Sequence, residues 1–250
     1  MAASPWQADN PYASFGTSVA DSPADARAAF IRRTYMHLTA AVYALAAIEW
    51  LILSSGVMDN LMPALMGNGT MLVLLLGFLG VSWLANRWAN SQASVGMQYL
   101  GLSLYVVAQA VILAPMLYFA QDMTINTGVA GTLGVVPAAG IATLVLFAAL
   151  TGVAWFSGAD FSFLGGVLSI ATIAAILLVF ASLIFGFNLG VFFSIAMIAV
   201  AAGYILYDTS NVMHHYQPSQ HVAASLALFA SVALLFWYVL RLFMALSSRD

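Results

Sequence analysis

The chain has 250 residues, 63% hydrophobic and 6% charged, with a formal net charge of −3. A soluble domain is about a quarter charged, so this composition excludes an ordinary water-soluble core and points to an integral membrane protein. The six basic residues are all Arg and thinly spread, which excludes a nucleic-acid surface. The lack of cysteine excludes disulfides, thiolate metal centres and cysteine catalysis.

The first segment, residues 1–28, reads "MAASPWQADNPYASFGTSVADSPADARA". It is Ala, Ser, Pro and Asp without a long apolar run, and is predicted to be a disordered tail. It lacks the basic start and apolar centre of a secretory signal, so the first apolar helix is expected to target the chain. From residue 29 to 250 we read one polytopic membrane domain.

A helix needs about 20 mainly apolar residues to cross the hydrocarbon. Seven segments qualify: 34–55, 70–86, 95–120, 136–156, 163–185, 189–212 and 222–246. None alternates with period 2, and all are too long for barrel strands. The predicted fold is therefore an all-α membrane protein, a bundle of seven transmembrane helices. Only the connections 56–69 and 121–135 have any length. Arg27, Arg32 and Arg33 precede the first helix and Arg87 follows the second, whereas the loops after helices one and three have no basic residue. Basic residues stay in the cytoplasm, so the N-terminus is expected inside. Seven crossings then leave Arg241 and Arg249 on the outside. Either the rule yields at that end, or one segment is re-entrant and the count is six; we adopt seven.

Motifs of soluble enzymes are missing: there is no P-loop, HExxH, GxSxG or Gly-rich dinucleotide turn. His214 and His215 with His221 could form a metal site, but histidines of a solvated loop at the lipid headgroups are the reading adopted. The triplet Asn68-Gly69-Thr70 matches a glycosylation acceptor, which matters only in a secretory eukaryotic setting.

Ionisable groups inside apolar helices are costly and point to function by default. Glu49 lies more than halfway along the first helix, in "YALAAIEWLILSSG", and His37 near its start. Asp208 follows the uncharged run "LGVFFSIAMIAVAAGYILY". Arg87 and Arg241 lie near helix ends, where they can snorkel to the interface. Glu49 is open to three readings: a structural hydrogen bond, a place near the headgroups, or transport. Asp208 is open to two. It is a helix-end residue bonded to Thr209, Ser210 or Asn211 and water, or it is a functional carboxylate. On the last helix Ala223, Ala227 and Ser231 form one stripe of small residues, which lets helices approach closely. Ser231 is the hydroxyl on that stripe, serving packing alone or a nearby carboxylic acid.

The segments "RAAFIRRTYMHLTAAVYALAAIE", "DFSFLGGVLSIA" and "ILYDTSNVMHHY", followed by a long last helix, closely resemble the Bax inhibitor-1 family in its bacterial branch. This is also called the transmembrane BAX inhibitor motif family. The resemblance runs from about Ala28 to the end, and "YDTSN" is its most specific piece. It implies a seven-helix bundle with the last helix central, and a pH-sensitive calcium leak. It also implies a sensor of two aspartates, one in the "YDT" segment and one on the last helix. Asp208 matches the first. The last helix, "HVAASLALFASVALLFWYVLRLFM", has no Asp or Glu, and Ala227 or Ser231 stands where the second would be. Two carboxylates sharing a proton titrate in two separated steps; one alone is expected to titrate in a single step. The resemblance further matches Glu49 and Arg87 to an acidic and a basic residue of the family.

The expected pH sensor and ion pathway is thus Asp208, Ser231, Glu49 and Arg87, with no resident metal or cofactor and calcium as the transported ion. One Asp makes no catalytic dyad, so no enzyme is expected. The alternative that the resemblance implies is a modulator of a membrane-anchored AAA protease, which would engage the soft tail. The expected setting is the lipid bilayer of a bacterial inner membrane, with the N-terminus cytoplasmic.

Overall fold

The structure, a computed structural model, describes residues 18–66, 69–91, 94–126 and 132–247. Residues 1–17 of the expected tail, Asn68 of the acceptor triplet and Arg249 lie outside the described residues.

Among the described residues, eight helices and one hairpin follow in chain order. They are α1 (Ala24–Ser54), α2 (Val57–Leu65), α3 (Thr70–Ala89), α4 (Val95–Ala120), β1 (Thr124–Asn126), β2 (Thr132–Gly134), α5 (Val135–Ser157), α6 (Leu164–Phe185), α7 (Gly190–His214) and α8 (His221–Ser247). Among the described residues all but α2 of these helices are long and apolar enough to cross a membrane, the shortest being the 20-residue α3. At 1.5 Å per residue even that helix spans about 30 Å, the thickness of the hydrocarbon. The protein is a multi-pass integral membrane protein with seven candidate spans.

α1 begins ten residues before the predicted span and inside the segment expected to be tail. Pro23 supplies a φ of −52° at the N-cap and Asp25 stands in the first turn, both suited to a helix start. Just ahead, Val19 is fully buried and its N–H donates to the Tyr216 carbonyl at 2.8 Å. The connection 56–69 contains α2, whose Met58 and Met62, one turn apart, are buried against Ala114. The connection 121–135 contains the antiparallel pair β1–β2, with Thr124 opposite Gly134. Both were too short to read as spans.

α8 is the centre of the bundle. It packs against α7, α5, α1, α4 and α3. Of its most apolar 18-residue stretch 72% is buried, against 6% for α3 and 11% for α6, so those two are peripheral. Outward side chains such as Val73, Ile170 and Phe192 are exposed and apolar, as a lipid-facing surface requires. Helices α3 and α4 are tightly paired. A Cβ on Gly101 would fall 2.5 Å from the Ala89 nitrogen and 2.6 Å from the Ala85 carbonyl oxygen, so only glycine fits there. Ser225 fixes α8 against α1, its hydroxyl reaching the carbonyls of Thr34 at 2.8 Å and His221 at 2.6 Å. The seven spans place the starts of α1, α4 and α8 and the ends of α3, α5 and α7 at one end of the bundle. The β hairpin and the end of α8 lie at the other, where Ser247 donates to the Thr124 carbonyl.

Candidate functional site: a buried carboxylate beside an interhelical cleft

The run "GYILYDTSN" continues α7 past its apolar stretch without a break, so Asp208 is still six residues from the helix end. The helix places Ile205, Asp208, Thr209 and Val212 on its buried side. Asp208 is 7% exposed and Ser231 4%. The Ser231 hydroxyl donates to Asp208 Oδ2 in a short hydrogen bond between α8 and α7. Sequence reading expected this contact among its alternatives, and the structure brings the two residues together. The small stripe explains the close approach: Ala223 is buried on the same face of α8, and Ala227, between Ala223 and Ser231, lines the same cleft as Asp208.

That cleft has a volume of about 660 Å³. Its floor is α8, its walls are α4 and α7, and its rims are α3 and α6. Apolar side chains such as Phe78, Ile112 and Ile176 dominate the lining. Polar groups interrupt them: Asp208, Ser231, Gln109, Tyr105, and the Thr172–Tyr204 hydroxyl pair at 2.9 Å. Arg241 lines the cleft too, with its guanidinium carbon 5.9 Å from the centre of the Phe193 ring. It lies ten residues beyond Ser231 along α8, about 15 Å at helical rise.

Two other expected residues are not part of the cleft. Arg87 is exposed and sits over Trp83, its guanidinium carbon 5.5 Å from the ring centre. One residue along a helix is a rotation of about 100°, and it is Asn86 that faces the cleft. Glu49 is 5% exposed, and neither carboxyl oxygen has a hydrogen-bond partner among the described residues. Leu45 and Leu53, one turn to either side, pack against the cluster containing Leu113, Leu117, Leu235 and Leu240. Glu49 therefore faces the apolar core, outside the lining of the cleft.

The histidines do not converge as a group. His37 pairs with His221, ring centres 5.3 Å apart, and its Nε2 lies 2.9 Å from the Tyr99 hydroxyl. His214 Nδ1 lies 3.0 Å from the Ser210 carbonyl. His215 Nε2 lies 2.9 Å from Asp160 Oδ2. Among the described residues no group of three or more His, Cys, Asp or Glu could hold a metal ion.

Asp160, in the α5–α6 connection, was not singled out from sequence. It binds the end of α7: Ser210 Oγ donates to Asp160 Oδ1 at 3.1 Å and accepts from the Phe161 N–H at 2.9 Å. The Ser162 N–H also donates to Oδ1, at 2.9 Å. That backbone bond, then the Ser162, His215 and Ser210 side chains, holds the Asp160 carboxyl below the usual carboxylate range. The Asp-x-Ser pattern just before a helix was the available clue. On the next loop, burial and then the nearby Asp208 charge push the Tyr216 phenol up. Gly165 of "FLGG" lies against Tyr207 of "YDTSN", with its would-be Cβ 2.9 Å from the ring, so the two motif segments touch.

Six candidate membrane helices around a buried last one, with a carboxylate locked between α7 and α8, define a polytopic membrane protein. Residues 27–249 match the family model described as "Inhibitor of apoptosis-promoting Bax1", and the chain belongs to that family, Bax inhibitor-1. It is similar to Bax inhibitor 1 of Schizosaccharomyces pombe, 28% identical over 244 residues, which cover 94% of this chain and 83% of the relative.

Proposed function

We propose that the protein is a pH-sensitive cation leak, with calcium as a transported ion and Asp208 as the gate. One observation carries this reading: an aspartate 7% exposed, held by a single neutral hydroxyl, at the edge of a cleft large enough for hydrated ions. Intramembrane carboxylates of this kind mark ion and proton paths. The family resemblance of the "YDTSN" segment points the same way. While Asp208 stays bonded to Ser231, α7 and α8 remain closed on each other. A charge on Asp208 with only one hydrogen bond draws in water or a cation, because isolated charges are costly in apolar surroundings. Hard cations such as calcium take oxygen ligands, and the cleft offers carboxylate, amide and hydroxyl oxygens. The Arg distribution supports a cytoplasmic N-terminus, and the quoted segments support a bacterial inner membrane.

The test is calcium entry into liposomes holding the purified protein, followed across physiological pH with Asp208→Asn beside it. We expect flux that depends on pH in the parent and has lost that dependence in Asp208→Asn. Folded protein that gives no flux above empty liposomes sinks the reading.

A further inference from the structure

We propose that Gln109 is the second cation ligand of the cleft, acting opposite Asp208 and setting which cation the site prefers. This deepens the cation-leak reading and rests on it. Gln109 lies mid-way along α4 and is 5% exposed. Its amide makes no hydrogen bond among the described residues, and it lines the same cleft as Asp208. The amide opens onto the cleft with no partner among the described residues to occupy it, so it is free to bind a ligand there.

Depth agrees. Helices α4 and α8 run in the same direction, since Tyr99 and His221 meet near their starts at 6.5 Å. Further along, Tyr105 meets Phe229 at 6.0 Å. Gln109 is one turn beyond Tyr105, and Ser231 is two residues beyond Phe229. The amide and the Asp208–Ser231 pair thus lie within about one helical turn of each other in depth. Tyr204, one turn from Asp208 on α7, and Thr172 extend the same polar layer.

A cation at this level takes Asp208 as its one charged ligand and the Gln109 carbonyl oxygen as a neutral one. Arg241, the other charge lining the cleft, offsets the carboxylate from about 15 Å away along α8. One carboxylate facing neutral oxygens discriminates weakly between monovalent and divalent cations, whose affinity is tuned by the number of ligand charges. Gln109 therefore controls the calcium-to-potassium ratio.

The experiment compares the parent, Gln109→Leu, Gln109→Glu and Asp208→Asn in liposomes, reading calcium and potassium flux separately. In parallel, calcium binding to the purified proteins is titrated. We expect Gln109→Leu to lower flux of both ions and calcium affinity by about tenfold, the scale of one polar contact to a charge. Gln109→Glu should raise the calcium-to-potassium ratio, a shift that a purely structural amide would not produce. If Asp208→Asn alters flux while both Gln109 variants keep the parent ratio and affinity, the Gln109 inference is overturned and the leak reading stands. If the parent carries no flux, the leak reading falls. Gln109 is then decided by the titration: parent-like calcium affinity in Gln109→Leu overturns it, and a loss of affinity upholds it as a binding residue.

Discussion

The two buried carboxylates of the bundle differ in everything but burial. Asp208 is 7% exposed and Glu49 5%. Asp208 has a hydroxyl partner on the central helix and a cleft beside it. Glu49 has no partner for either oxygen among the described residues and looks into a leucine-rich core. Burial alone therefore does not mark a functional carboxylate in a membrane bundle. What separates the two is access: a path by which a proton, water or cation can reach the group. By this criterion the gate we propose is Asp208, and Glu49 is a cost to stability.

The largest expected effect is at Asp208. Asp208→Asn keeps the shape and the bond to Ser231 but cannot ionise, so the pH dependence of cation flux should vanish while the folded fraction stays near that of the parent. Liposome flux beside thermal unfolding measures both. A pH dependence that survives in Asp208→Asn would hand the sensor role to another group, and Glu49 would be the first to examine.

Next in size is the wall of the cleft. Gly101 lets α3 lie against α4, and a valine there would drive its side chain into the backbone of Ala85 and Ala89. Overpacking of this kind costs about 1–3 kcal/mol or more. Gly101→Val should lower the unfolding temperature and, by displacing α3, the rim of the cleft, change flux. Glu49, facing the opposite cluster, gives a control. Glu49→Leu fills the same core space without a buried carboxyl, and should stabilise the protein by about 1–3 kcal/mol. It should leave the flux–pH curve unmoved. A shifted curve in Glu49→Leu or Glu49→Gln would break the distinction between the two carboxylates.

Most of the bundle could be read from sequence because long apolar runs state their length and position plainly. The seven predicted segments match the observed spans to within a few residues except at the start of α1, where Pro23 and the buried Val19 extend order toward the N-terminus. The inward faces were harder. In lipid both faces of a helix are apolar, so hydrophobic periodicity does not say which side is buried. The small stripe on the last helix did say so, and it led to Ser231. Gln109 escaped because a search for charges passes over a neutral amide, though a glutamine in the middle of a mostly apolar helix was visible. Asp160 escaped because a loop carboxylate carries no desolvation cost that would draw notice. Arg87 was placed by resemblance within the site, but the helical rotation turns it to the surface and Asn86 to the cleft.

The smallest expected effect sharpens the comparison from outside the membrane. Asp160 pins the α7 end through Ser210, two residues beyond Asp208, and His215, at the helix C-cap. Its carboxyl is held below the usual carboxylate range, first by the Ser162 N–H. A carboxylate with a lowered folded pKa contributes stability that is present above its unfolded pKa of about 3.9 and is lost as pH falls through the lower folded value. Across physiological pH Asp160 therefore stays charged and cannot supply a pH response. Asp160→Asn should cause a slight loss of thermal stability that is constant over that range, and should leave the midpoint of the flux–pH curve in place. If Asp160→Asn or His215→Ala moves the midpoint as Asp208→Asn abolishes it, the loop latch and the buried carboxylate are one coupled switch. If the midpoint stays, Asp208 alone senses pH and the latch only holds α7 in register.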